Sequence, residues 1–251
     1  MIINRIGSAL RSQDWATVFI EFVLVVLGVL VALEVDRYNE RQKERADEIN
    51  YLLALERDLQ RDIDDHRTLI EAFSTIESFG DSAIKTLNGQ ECSPGECWRS
   101  LVEAFHASQW IDASTNSSSF EEMKRLGLPK DAGLKDTLEL YYAGGRARGK
   151  LTADLPLYRQ LVRSAIPQDL QRYIWSNCFT VSGSDETYNS NCASPTTDES
   201  ARRVLENIRK TPQIKEALTF WMSNISLITL TIPTQTEEAK QALAAVRDNI
   251  Q

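Results

Sequence analysis

Trp15 to Val35 reads WATVFIEFVLVVLGVLVALEV. From Phe22 to Leu33 every residue is apolar or Gly, and from Ala16 to Leu33 the only charge is Glu21. An α-helix rises about 1.5 Å per residue, so roughly 20 residues cross the hydrocarbon layer of a bilayer. A helix apolar on every face has no side to turn to water, which favours lipid over the core of a soluble domain. These residues predict a transmembrane helix over 15–35, with Trp15 and Tyr38 as interface anchors. The run is longer than the apolar region of a cleaved signal peptide. Leu30 and Ala32 also make a poor small-x-small cleavage site, so an uncleaved signal anchor is expected.

Within that helix Thr17, Glu21, Gly28 and Ala32 share one face, because spacings of 4 and 7 return to nearly the same direction. Gly28 and Ala32 form a small-x-x-x-small pair that lets two backbones approach closely. A carboxylate at the bilayer centre costs about 2.5–3.5 kcal/mol on insertion scales, and somewhat less near the edge. The face is therefore expected to contact a second copy or a partner membrane protein, with Glu21 as its polar member.

The rest of the chain is unlike this segment. The 251 residues are 42% hydrophobic and 25% charged with a net charge of −8, which excludes a disordered chain. From Asp36 onward there are 26 basic and 33 acidic side chains, so nearly all the acidity lies outside the apolar helix. An acidic surface does not displace phosphate counterions, and no nucleic-acid partner is expected.

Four cysteines follow the apolar helix: Cys92, Cys97, Cys178 and Cys192. The first two bracket Ser-Pro-Gly-Glu, and the second two bracket a polar loop with Gly183, Asn189 and Asn191. Four cysteines allow three pairings. Short loops closed by neighbouring cysteines favour Cys92–Cys97 with Cys178–Cys192, formed in an oxidising compartment. The charge count disagrees. Arg37, Arg41, Lys43 and Arg45 outnumber Arg5 and Arg11, which slightly favours a cytoplasmic C-terminal side. Giving the cysteines more weight yields a short cytoplasmic tail over 1–14, a transmembrane helix over 15–35 and an extracytoplasmic domain over 36–251. The expected location is a bacterial inner membrane with the large domain in the periplasm.

After Val35, mixed-sign charges without Gly or Pro predict a solvated helical neck over 36–48. Ile49, Leu52, Leu59, Ile63, Ile70 and Phe73 then fall on a- and d-like positions, interrupted by Glu56 and His66. The membrane helix is expected to run on to about Ser74. Further helices are expected over 76–87, Cys97–Ser108, Ser118–Leu126, Gly133–Gly145, 150–164, Pro167–Cys178, Asp198–Lys210 and Thr211–Leu230. A last helix is expected after Pro233. The β-branched run ISLITLTI (Ile225–Ile232) keeps the helical register of Leu218 and Trp221. The fold class is all-α, a helical bundle entered by the long N-terminal helix.

Glu21 together with Val25–Glu40 (VVLGVLVALEVDRYNE) resembles the N-terminal signature of a family of uncharacterised bacterial single-pass membrane proteins. Ser119-Phe120-Glu121-Glu122-Met123, leading to Gly127, and the later pair Tyr141-Tyr142 resemble a second part of the pattern. The resemblance covers about the first 40 residues and 115–142. It implies the anchor and a helical domain, and it implies no reaction.

Candidate chemistry is sparse. Asp64-Asp65-His66 reads as a solvated helix face, and His106 follows Phe105. Neither histidine belongs to H-x-x-x-H, and no nucleophile elbow, Walker or dinucleotide fingerprint occurs. No metal, cofactor or catalytic residue is expected. Gly144-Gly145-Arg146-Ala147-Arg148-Gly149 predicts a break with a turn, in which Arg146 and Arg148 form a possible anion or ligand site. Trp98, Trp110, Trp175 and Trp221 are read as core. A non-enzymatic anchored interaction or accessory subunit is the expected function, and a periplasmic ligand-binding or sensory module is the alternative.

Overall fold

The computed structural model describes residues 15–250 apart from 184, with side chains from Phe19 onward except 185. Eight helices and one two-stranded ribbon are described: α1 (Trp15–Leu87), α2 (Cys97–His106), α3 (Ser118–Arg125), α4 (Ala132–Gly149), α5 (Leu157–Ala165), α6 (Gln168–Asn177), β1 (Phe179–Ser182), β2 (Asp185–Tyr188), α7 (Asp198–Arg209) and α8 (Pro212–Ile250). The all-α class is thus as expected. The chain divides into two units, Met1–Tyr51 and Leu52–Gln251, and α1 supplies residues to both.

In the first unit, the large apolar side chains from Phe19 to Val35 are almost all exposed, on every face of the helix. Among the described residues no helix is long and apolar enough to cross a membrane. Counted from Phe19, any 18-residue stretch that holds this run takes in Glu21, Glu34 and Asp36. The expected tail over 1–14 and the side chains of Trp15 and Thr17 lie outside the described residues. Gly28 has open space around it.

In the second unit, α1 follows a strict seven-residue column. Leu52, Leu59, His66, Phe73, Gly80 and Leu87 are all buried. The companion column is not the expected Ile49, Glu56, Ile63 and Ile70, which are half-buried. It is the one three residues on, where Leu55, Ile76 and Ala83 are buried. The helix continues to Leu87 without the expected break near Ser74, because buried Phe73, Ile76, Phe79, Gly80, Ala83 and Leu87 carry the apolar face on through that point. Phe73, Ile76, Phe79 and Ala83 join a core built from α2, α5, α6, α7 and α8.

α8 also differs from the expectation of two helices. It runs through Pro233, which cannot donate a backbone hydrogen bond and costs about 3 kcal/mol in a helix interior. Ile225, Ile228 and Ile232 before the proline and Gln235, Ala239 and Ala242 after it are buried on one face. That burial offsets the lost bond. The aromatic heads are tied to backbone: Trp221 Nε1 donates to Ala107 O at 3.1 Å, and Tyr158 OH to Ala104 O at 2.7 Å. Trp98 and Trp221 are buried, and Trp110 and Trp175 pack against the same core.

Helix ends are joined across the fold. Asp198, at the start of α7, accepts from Cys97 N at 3.0 Å and so caps α2. That bond is the first cause holding the Asp198 carboxyl below the usual range. Residues 150–156, expected as helix, form turns before α5. The polar loop after Cys178 is an antiparallel ribbon, with Phe179 opposite Tyr188 and Ser182 opposite Asp185. Gly183 at φ +65° supplies the left-handed turn residue.

Both expected disulfides are present, Cys92–Cys97 and Cys178–Cys192, with sequence separations of 5 and 14. A cross-link removes more chain entropy from the unfolded state as its loop lengthens. Replacing Cys178 and Cys192 by Ala is expected to cost about 3 kcal/mol, against about 2 kcal/mol for Cys92 and Cys97. Urea unfolding of the two double variants measures this, and the reverse order would contradict it.

Candidate functional site

Three helices each place one polar residue at a core position. On α1 it is His66, in the column of Leu59 and Phe73. On α4 it is Arg148, in register with Leu134, Leu138, Tyr141 and Gly145. On α8 it is Gln235, between Ile232 and Ala239. The three meet, and Arg148 is only 4% exposed.

All four described contacts of the Arg148 guanidinium are to neutral groups. Nε donates to Ala113 O at 2.7 Å, and Nη1 donates to Gln235 Oε1. Nη2 reaches Thr115 Oγ1 at 3.0 Å and His66 Nε2 at 3.1 Å. A guanidinium only donates, so His66 Nε2 must be the unprotonated nitrogen. Nδ1 then carries the proton and donates to Thr236 Oγ1 at 3.2 Å, whose hydroxyl donates to Ile232 O at 2.9 Å. Burial, and then the neighbouring Arg148 charge, push His66 down to about 4. With both ring nitrogens engaged, His66 is an orienting group and not a free base.

One turn before His66, Asp62 accepts from Tyr141 OH at 2.7 Å. Burial pushes its carboxyl up to about 6, against the lowering effect of that hydrogen bond. Tyr142 stacks on Phe120 with ring centroids 4.7 Å apart, and its buried hydroxyl has no hydrogen-bond partner. Burial, followed by Asp62 and Asp58, raises the Tyr142 phenol. Asp58 accepts from Ser119 Oγ at 2.5 Å, tying α3 to α1.

Asp58, Asp62, His66, Thr115 and Arg148 line an open groove of about 920 Å³. Its walls are α1 from Asp58 to Thr75, the segment Ile111–Asn116, and Glu186–Tyr188 of β2. Six carboxylates line it (Asp58, Asp62, Asp65, Glu71, Asp112 and Glu186) against Arg61, Arg67 and Arg148. Such a volume holds a small molecule or a short peptide. No group of three potential metal ligands is gathered among the described residues.

The sequence expectations divide here. Arg146 and Arg148 do not form one site. Arg146 lies on the surface, 3.5 Å from Glu121 and 3.8 Å from Glu139, while Arg148 is in the core. Two residues apart on a helix, they point in different directions. Gly144 and Gly145 do not break α4. They are glycine because a Cβ on Gly144 would overlap Gln235, and one on Gly145 would overlap Thr115. His66 is not on a solvated face, although its neighbours Asp64 and Asp65 are exposed. Glu21, Gly28 and Ala32 are exposed in the other unit. Asp62, Thr115 and Gln235 were not anticipated. The signal available for Asp62 and His66 was a polar residue in a seven-residue apolar column.

A second polar cluster is structural. His106 Nε2 donates to Cys178 O at 3.0 Å, and its Nδ1 accepts from Gln109 at 3.2 Å. Burial pushes His106 down to about 4. Arg163 lies over the rings of Phe105 and Trp175, 4.6 and 5.0 Å from their centroids.

No family model, curated protein or solved structure matches the chain.

The buried histidines set an acid dependence. Both fall from an ordinary 6.5 to about 4 in the fold, so between those values the unfolded chain binds more protons and stability drops as pH falls. Asp62, raised from 3.8 to about 6, acts in the opposite sense below pH 6. Two imidazoles against one carboxyl leave net destabilisation on acidification. His66→Gln, which can still accept from Arg148, is expected to flatten the profile of unfolding free energy between pH 6 and 4. An unchanged slope would refute the assignment.

Proposed function

We propose that this chain is a membrane-anchored helical interaction module whose disulfide-bearing unit works in an oxidising compartment. The observation that carries the reading is the run of large apolar side chains from Phe19 to Val35, exposed on all faces. So much contiguous apolar surface is not left in water, and lipid covers a helix that is apolar all round. The 18 residues Ala16–Leu33 hold one charge, Glu21, and their length matches a bilayer core. The resemblance of Val25–Glu40 to anchored bacterial proteins supports the same reading, as do the two disulfides. Glu21, Gly28 and Ala32, with Thr17, would form the face toward a second copy or a partner helix. The module lacks a recognised catalytic constellation and acts by binding.

A second reading, a ligand-binding or sensory module, is favoured by the groove and the buried Arg148 that lines it.

The anchor is tested by fractionation. The full chain is expected to stay in the membrane pellet after an alkaline carbonate wash, and alkaline phosphatase fused after Gln251 is expected to be active. A soluble chain or an inactive fusion would refute the anchor or its orientation. The contact face is tested by crosslinking in cells: Glu21→Leu with Gly28→Leu is expected to reduce the crosslinked species, and equal recovery would sink that face.

A further inference from the structure

The groove contains a cation whose charge the protein does not match locally. Arg148 is buried, lines the groove, and has no carboxylate within ion-pair distance among the described residues. Buried charges are ordinarily paired with an opposite charge. Asp62, whose charge acts on Arg148, accepts from the Tyr141 hydroxyl. A guanidinium has five N–H groups, and the four contacts use all but one, on Nη1. Thr115 also lines the groove and accepts from Arg148, so its own hydroxyl proton remains free to donate. Both residues line the groove, and each keeps one donor hydrogen that the described contacts do not use.

The same stretch of α1 presents acid. Asp65 precedes His66 by one residue, faces the groove and forms no ion pair among the described residues. Asp62 precedes His66 by one turn. Of the two cations beside them on α1, Arg61 is engaged with Asp58 at 3.5 Å, and Arg67 also lines the groove. Arg148 and Thr115 therefore line the same groove as Asp62 and Asp65, and the Arg148 charge is felt at Asp62. Opposite charges lining one open groove suit a small zwitterion such as an α-amino acid or a short peptide.

We propose that the groove binds a small zwitterion, an amino acid or short peptide, with its carboxylate on Arg148 and Thr115 and its ammonium on Asp65 and Asp62. The groove volume exceeds that of a single amino-acid backbone and leaves room for a side chain or a second residue. This inference deepens the ligand-binding reading and is independent of the anchor.

Calorimetric titration of the full chain in detergent with each L-amino acid, glycylglycine and alanylalanine tests it. At least one is expected to bind, and its N-acetyl and carboxamide derivatives, each lacking one charge, are expected to bind roughly tenfold or more weakly. Asp65→Asn, an exposed change that leaves the core intact, is expected to weaken the zwitterion by a similar factor. Arg148→Lys is expected to abolish binding, and the Asp65 variant keeps the proposal testable if the lysine variant does not fold. Binding of a singly charged derivative as tight as the zwitterion would overturn the zwitterion assignment and keep the groove as a ligand site. Unchanged affinity in Asp65→Asn would do the same. No heat from any compound would overturn both.

Discussion

A single guanidinium constrains the second unit. Arg148 is carried by α4 and reaches α1 through His66, α8 through Gln235 and the segment after α2 through Ala113 and Thr115. The cost of taking a charge out of water is several kcal/mol and is recovered only if its N–H groups find acceptors in good geometry. Those acceptors come from elements far apart in sequence, so the requirement fixes how three helices and a loop are placed. Apolar columns alone would tolerate a seven-residue slip of α1, because Leu52, Leu59 and Phe73 are similar. The polar members would not, since only one alignment sets His66 against Arg148. The polar network thus specifies a register that the hydrophobic column leaves degenerate.

The same constraint shapes the groove. Thr115 and Ala113 hold the segment Ile111–Asn116 down on Arg148, and Asp112 folds back to accept from Ser114 N at 2.9 Å. Gly145 lets Thr115 approach, and Gly144 does the same for Gln235. Small residues on α4, acceptors on its neighbours and a charge at its end are parts of one packing solution. Along α1 four acids (Asp58, Asp62, Asp65 and Glu71) line the groove, and the buried column of Leu59, His66 and Phe73 runs beside them.

Most of the secondary structure was legible because helical periodicity is local. The places where the expectation failed share a cause, which is a tertiary contact outweighing a local signal. Pro233 and the Gly144-Gly145 pair normally end helices, yet packing of Ile232, Gln235 and Ala239 carries α8 onward, and close approach carries α4. The ribbon Phe179–Tyr188 had a local signal, alternation around a Gly-led turn, that its polar composition concealed. The disulfides followed from spacing. The site was only half legible: Arg148 was singled out, but with the wrong companion and the wrong environment. Charge and spacing cannot separate Arg146 from Arg148. Only the register of Leu134, Leu138 and Tyr141 shows which one turns inward. His66 looked like an interruption of the apolar column, and in the fold it is a member of that column.

The Cys178–Cys192 bond closes the segment that bears β2, and β2 contributes Glu186, Thr187 and Tyr188 to one wall of the groove. The carbonyl of Cys178 is also the acceptor that fixes His106. The wall is therefore a product of oxidation as well as of folding. The bond tethers both ends of the segment that bears β2, so reducing it frees the span of chain that carries this wall. The thiol–disulfide state of the surroundings thus bears on this wall of the groove more directly than on the helices behind it.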